Sequence, residues 1–262
     1  MHEILRQLHP GSLVLDLGSA QGSFANNSTR AKIVRLDRSA QECPSDAFFV
    51  QGDASHLPFA SHTFAAVIAN HSLEHIEDLE RSLHEIGRIL LPEGCLFVSV
   101  PDASTLTDKV YRWLARGGGH VNPFRSPHDL ATRIERGTGL RLIAIRTLCS
   151  SFSFLNVRNS PRPRPRRLFL LGGGREWCLF AYVWLSRRID RRLNLRTSIY
   201  GWALYFGAVA EPVNTETMAN VCIRCGSGHS ASSLKQSRRL HSTWIVRVYR
   251  CPNCGATNPF ID

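Results

Sequence analysis

The sequence predicts an α/β protein, with a seven-stranded sheet covered by helices and followed by a small module built on cysteines. Three observations lead there. From residue 12 onward, short apolar segments of strand length alternate with helix-like segments, the pattern of a sheet with helices packed on its faces. Between two of those strands, IEDLERSLHEIGRILL sets Leu79, Leu83, Ile86 and Leu90 on one face at helical spacing. Near the end, CIRCG at 222–226 and CPNCG at 251–255 repeat a C-x2-C pattern across 25 residues.

In chain order the strands are Leu13 to Leu17, Lys32 to Leu36, Ala47 to Val50, Phe64 to Ala69, Cys95 to Val100, Leu140 to Thr147, and YGWALYFGAVAE at 200–211. PEG at 92–94 stops the helix before the fifth strand and turns the chain into it. A helix begins at SPHD, where Ser126 or Asp129 can cap the first turn. SFSFLNVRNSPRPRPRRLFLLGGG then forms a link whose alternating Pro-Arg dipeptides fit neither a helix nor an interior strand. EWCLFAYVWLSRRIDRRLNL reads as a helix with an aromatic first half and an arginine-rich second half. The expected division is a domain over 1–213, carrying a basic insertion at 151–200 before its last strand, and a cysteine module over 218–262.

Lys and Arg outnumber Asp and Glu by 32 to 21 in 262 residues, and only Lys32, Lys109 and Lys235 are lysines. Residues 158–196 hold eleven arginines against Glu176 and Asp190, so +9 of the net +11 sits in that stretch. Such a block favours a polyanion, RNA or an anionic membrane surface, over a small neutral ligand. The longest apolar run, Trp177 to Leu185, falls far short of the ~20 residues a membrane span needs, and no leader pattern opens the chain. The expected location is cytoplasmic, peripheral at the inner face of the membrane if the basic segment meets lipid.

The first strand ends in a small-residue turn, SLVLDLGSAQG at 12–22. A strand that enters such a turn lets a flat ligand approach the backbone, and the helix start behind it offers free N–H groups. The dinucleotide fingerprint G-x-G-x-x-G fails here, because Ala20 and Ser23 stand where glycines belong. Asp37, just past the second strand, can accept both hydroxyls of a ribose. Asp53, in VQGDASHLPF, can accept an adenine amine while Leu57, Pro58 and Phe59 flank the ring.

LDLGSAQGSF, Asp37, GDASHLPF and FAAVIANHSLEHIEDLERSLHEIGRILLPEGCLFVSVPD resemble, in order and spacing, the class I S-adenosylmethionine-dependent methyltransferases of the type 11 kind, across roughly residues 12–147. The resemblance implies a Rossmann-like seven-stranded sheet whose last strand, YGWALYFGAVAE, is antiparallel. It places Asp16, Gly18, Ser19, Ala20 and Gly22 around the methionine and adenosine portions of S-adenosylmethionine. It puts Asp37 on the ribose, Asp53 with Ala54 at the adenine, and Asn70 and His71 towards the methyl donor. Ala20 fits only with φ below zero. The short stretch before the first strand leaves out most of the family's helical flap, so another segment is expected to close the site.

Methyl transfer chiefly needs two aligned reactants, and a base where the acceptor is a hydroxyl. His71, His75 and His120 are the candidates; a structural hydrogen bond is the competing role for each, and the favoured one for His75. Asn70-His71-Ser72-Leu73 differs from the Asn-Pro-Pro-Tyr run of amino-methylating nucleic-acid enzymes, and no cysteine is near to attack a base carbon. The expected acceptor is a hydroxyl or carbon of a glycan, a lipid-linked compound or another small molecule. RNA methylation and a scaffold with an inactive domain are the alternatives.

Cys222, Cys225, Cys251 and Cys254 have the spacing of a closed four-sulfur zinc site, which is structural because no coordination position stays open. The tail resembles a zinc ribbon, with WIVRVYR as a strand; a redox pair is the competing reading. Cys43, Cys95, Cys149 and Cys178 fit no ligand spacing and are expected to be buried thiols. Three uses remain open for the insertion. Trp177, Phe180, Tyr182 and Trp184 can close over the cofactor, Arg187, Arg188, Arg191 and Arg192 can meet lipid headgroups, or the arginines can track RNA phosphates.

Overall fold

The computed structural model describes residues 1–19, 22–39, 47–114, 119–158, 175–237, 239–242 and 246–262. The Pro-Arg dipeptides, Ala20 and Cys43 lie outside them. Two compact units are present: residues 1–102, 119–146 and 202–215 form the first, and 103–118, 147–201 and 216–262 the second.

The main sheet has seven strands: β1 (Leu13–Leu17), β2 (Lys32–Asp37), β3 (Phe48–Gln51), β4 (Phe64–Asn70), β5 (Leu90–Pro101), β6 (Leu142–Cys149) and β7 (Ile199–Gly207). Their order is β3-β2-β1-β4-β5-β7-β6. β1 pairs in parallel with both β2 and β4, and β2–β3 and β4–β5 are parallel as well. β7 runs antiparallel to β6, because Gly207 N donates to Arg141 O at one end and Ser150 N to Ser198 O at the other. The expected mixed sheet is therefore present. Chain order reverses between β1 and β4, so a crevice opens beyond their carboxyl ends, where such sheets bind ligands.

Helix α1 (His2–Gln7) precedes β1 and α3 (Leu106–Leu114) follows β5; α2 (Leu79–Ile89) buries Leu79, Leu83, Ile86 and Ile89 against that sheet, and the Asp78 side chain caps it by accepting from Arg81 N. Each such side chain contributes roughly 1.5–3 kcal/mol of burial free energy. Helix α4 (Pro127–Thr138) is capped by Ser126, which accepts from Asp129 N. Of the two capping candidates, the hydroxyl takes the role. β5 starts at Leu90, five residues before the expected Cys95: Leu90 pairs with Phe64, PEG bulges out, and pairing resumes at Cys95 opposite Ala66. Burial lifts the Cys95 thiol to about 12. Cys149 and Cys178 are only half-buried, unlike the expectation.

In the second unit, helix α5 (Glu176–Leu193) packs Leu179 and Val183 against Phe152, Leu155 and Ile223. Glu176 takes two bonds from the Arg224 guanidinium, at 2.7 and 3.0 Å. The arginine-rich half is used differently from the lipid-facing expectation at one position. Arg187 is 4% exposed and donates to the carbonyls of Ser150, Ser198 and Ala219, which its planar fork can satisfy together. Trp177 is 68% exposed, while Phe180 and Tyr182 join the α5 cluster. Among the described residues no helix is long and apolar enough to cross a membrane.

The cysteine segment has a two-stranded ladder, Asn220–Val221 with Gly228–His229, and a three-stranded sheet of Leu240–Ser242, Arg247–Arg250 and Thr257–Pro259. Its small core is Cys222, Leu234, Tyr249, Cys251, Ala256 and Phe260.

Candidate active site at the glycine turn

The turn after β1 is pinned by Gly18 N and Ser19 N, which both donate to Leu36 O, and by Gly22 N, which donates to Ser19 O. Gly18 has φ +66° and Gly22 φ +108°, regions that side chains other than glycine rarely adopt. A Cβ at Gly18 would stand 2.5 Å from Ser72 Cβ, and one at Gly22 2.5 Å from the Arg35 guanidinium. Both glycines are therefore required by conformation and by space. They let the turn press onto the loop after β4 and onto β2.

Asp16 and Arg35 face each other in register on β1 and β2. Both are almost fully buried, with Arg35 Nε 3.7 Å from Asp16 Oδ2. Asp16 Oδ2 also accepts from Ser23 N at 2.8 Å, and Arg35 donates to Asn26 Oδ1 and Phe24 O. Burial raises the Asp16 carboxyl, against the pull of Ser23 and Arg35. Asp16 thus holds the turn from beneath.

Beside the turn lies a cavity of about 400 Å³, of the size ligand pockets have. Leu17, Leu36, Ala54 and Ile76 give it apolar wall, and Gly18, Asp37 and Asp53 reach it. Asp37 Oδ1 accepts from Ser39 N and Oγ. Asp53 Oδ1 accepts from Ser55 N and Oγ, which hold its carboxyl below the usual range, and Arg38 stands 3.3 Å from Oδ2. Next to Gly18, the buried hydroxyls of Ser19 and Ser72 have no hydrogen-bond partner. Two carboxylates on the rim, apolar walls and hydroxyls awaiting partners suit an adenosine bearing a polar tail.

At the far end, Ser99 Oγ donates to Asn70 Oδ1 at 2.6 Å and lies 3.3 Å from His71 Nε2. His71 Nδ1 is 3.5 Å from Glu74 Oε1. Its backbone sits at φ +56°, a costly conformation for a histidine and one that clusters at functional sites. His75 also lines the cavity, its ring edge-on to His120 with centroids 4.9 Å apart.

Residues 15–98 match the family described as a methyltransferase domain. The match runs from β1 into β5. A malonyl-[acyl-carrier protein] O-methyltransferase from Methylococcus capsulatus is 29% identical over 184 residues, covering 61% of this chain and 67% of that protein. The human mitochondrial arginine-hydroxylase NDUFAF5 is 31% identical over 140 residues, covering 47% of this chain and 41% of that one. Among solved structures, the [4+2]-cyclase SpnF superposes with a TM-score of 0.51 at 18% identity, over 81% of this chain and 79% of that one, which shows the fold. This chain therefore spans two thirds of the first relative's length and less than half of the second's.

Of the site residues expected from sequence, Gly18, Asp37, Asp53, Ala54, His71 and His75 line the cavity. Asp16 and Gly22 shape the turn instead, Asn70 anchors Ser99, and His120 lies against His75. Arg35, Arg38 and Ser72 lie outside the residues expected from sequence. The signal for Arg35 was available, as a lone arginine inside the apolar strand KIVRLD at the same offset as Asp16 in LVLDL.

In the second unit, the sulfurs of Cys222, Cys225, Cys251 and Cys254 all lie within 4.8 Å of one another. Cys222 and Cys254 are 3.5 Å apart, and Cys225 and Cys251 3.6 Å. A tetrahedral ion with 2.3 Å bonds to sulfur separates its ligands by about 3.8 Å. The two knuckles repeat one pattern, in which Gly226 N donates to Cys222 O and Gly255 N to Cys251 O. His229 Nε2 is 3.5 Å from Cys251, beside the set rather than in place of a thiol.

Proposed function

We propose that this protein transfers a methyl group from S-adenosylmethionine to an oxygen of a small-molecule or carrier-linked acceptor. The observation that carries the reading is the cavity beyond β1 and β4, closed below by the glycine turn and bordered by Asp37 and Asp53. S-adenosylmethionine, when bound, supplies an electrophilic methyl group on a sulfonium. Asp37 would hold the ribose hydroxyls, Asp53 and Ala54 the adenine edge, and Gly18 with Ser19 the backbone path of the methionine portion. Removing water and fixing the acceptor's approach are then the protein's main contributions.

On the acceptor side, His71 is the positioning candidate. Its backbone is locked and its ring is braced by Ser99 and Glu74, so its edge can orient an acceptor oxygen. The named activity of the Methylococcus relative, O-methyl transfer to malonyl-[acyl-carrier protein], supports an oxygen acceptor. The four clustered cysteines would hold a structural zinc ion, since four thiolates fill a tetrahedral shell.

The test is transfer of labelled methyl from S-adenosylmethionine to matched acceptors bearing a carboxyl, a hydroxyl or an activated carbon. The expected result is oxygen labelling, base-labile where the acceptor is a carboxyl. His71→Ala should lower kcat about tenfold or more, the scale of misplaced reactants, a larger effect than on S-adenosylmethionine affinity. Labelling of carbon alone would contradict the reading.

A further inference from the structure

We propose that Glu74, His75 and His120 form a second metal site, for a divalent transition ion, at the edge of the cofactor cavity. One nitrogen of each histidine and one carboxylate oxygen lie within 4.8 Å of one another. Nitrogen and oxygen ligands about 2.1 Å from an ion stand about 3–4 Å apart, so modest ring rotation closes the set. His75 is exposed, which leaves room for that adjustment.

The second observation is the carboxylate itself. Glu74 is 2% exposed, and its Oε2 is buried with no hydrogen-bond partner. A carboxylate oxygen taken out of water and left unpaired is costly unless something binds it. Oε1 faces His71 at 3.5 Å, which leaves Oε2 for a ligand.

The third is the frame. His75 Nδ1 is 3.1 Å from the Gly119 carbonyl, which can only accept, so the ring proton sits on Nδ1 and Nε2 keeps its lone pair. Metal-binding histidines are oriented in this way. Val121 N and Asn122 N donate to Glu74 O at 2.8 and 3.0 Å, and Asn122 Nδ2 donates to Leu73 O and Ile76 O. Those bonds tie the segment that carries His120 to the turn that carries Glu74 and His75. The donor set is thus held close to its binding arrangement before any ion arrives.

Two imidazoles and one carboxylate suit Zn²⁺, Fe²⁺ or Mn²⁺ and leave coordination positions open, unlike the four-sulfur set. His75 also lines the cavity, so an open position would face the acceptor side. The consequence for substrate class rests on the methyltransferase reading: the acceptor is one whose oxygen can ligate an ion, which would hold it and favour its deprotonated form.

The test uses the full chain, stripped by chelator and dialysed against Zn²⁺ or Co²⁺, with metal counted per chain. The wild-type protein should hold two equivalents. His120→Ala and Glu74→Gln should each hold one, with the thiolate charge-transfer bands of the Co²⁺ form intact, and Cys225→Ser should lose those bands while keeping the other equivalent. Should Glu74→Gln fold poorly, His120→Ala carries the test, because that ring is only half-buried. A single wild-type equivalent that vanishes in Cys225→Ser, or two equivalents retained in His120→Ala, would overturn the proposal. Calorimetry with S-adenosylmethionine on the same samples separates the two ideas. A missing second ion with cofactor binding intact removes only this site, whereas absent cofactor binding removes the methyltransferase reading.

Discussion

Replacing Arg35 by methionine removes the counter-charge of Asp16 and leaves a side chain of similar length. Asp16 is 0% and Arg35 3% exposed, so water cannot take the missing partner's place. Breaking a buried pair from one side costs roughly 3–5 kcal/mol, because the surviving charge stays buried. The bonds from Arg35 to Asn26 and Phe24 go as well, loosening the turn at Gly22. Arg35→Met should therefore lose about 3–5 kcal/mol in urea unfolding of the first unit, and the double variant with Asp16→Asn should recover a large part. The pH dependence has a definite sign. A carboxyl raised in the folded state from its ordinary 3.8 favours folding most below that value, and the contribution is lost as pH rises through the raised folded pKa. Without Arg35 the rise is larger, so the deficit of Arg35→Met should shrink in acid. A variant within 0.5 kcal/mol of wild type, on the scale of an ordinary surface change, would refute the argument.

Gly18→Ala should destabilise by about 1–2 kcal/mol from the left-handed backbone alone, with more from the Ser72 contact, and should abolish detectable S-adenosylmethionine binding; calorimetry beside a melting curve reads both. Cys225→Ser should hold one zinc per chain fewer than wild type and make the 216–262 segment protease-sensitive; an unchanged metal count would contradict a four-thiolate site. Glu3 supplies an acid-limb prediction. Burial pushes its carboxyl up, but the amino terminus and Arg146, 2.6 Å away, hold it well below the ordinary 4.5. Its contribution is therefore present above pH 4.5 and lost as pH falls below it. Glu3→Gln should flatten that loss in a pH series of urea midpoints, and an unaltered acid limb would count against the pairing.

The parts of this fold legible in the sequence were those written in local periodicity. The α2 stripe of Leu79, Leu83 and Ile86 sits where its spacing puts it, and the first four apolar strands align closely with the expected ones. The early start of β5 was not legible, because a proline and a glycine signalled a break that the structure absorbs as a bulge. The cavity was half legible. Asp37 and Asp53 follow their strands and reach it, but Ser72 and Arg38 meet it only through tertiary contact. Asp16 illustrates the limit most clearly: the motif marked it, and only the register with Arg35 shows that it acts from beneath the turn. For α5, composition suggested a surface for polyanions, yet Arg187 is spent on three backbone carbonyls, a use no charge count reveals.

If the cavity beside Gly18 is the seat of S-adenosylmethionine, calorimetric titration of the purified full chain will show one site per chain, weakened about tenfold or more by Asp37→Ala, the scale of a lost charged hydrogen bond. Absence of any binding heat at millimolar cofactor, or an affinity indifferent to Asp37, would contradict it.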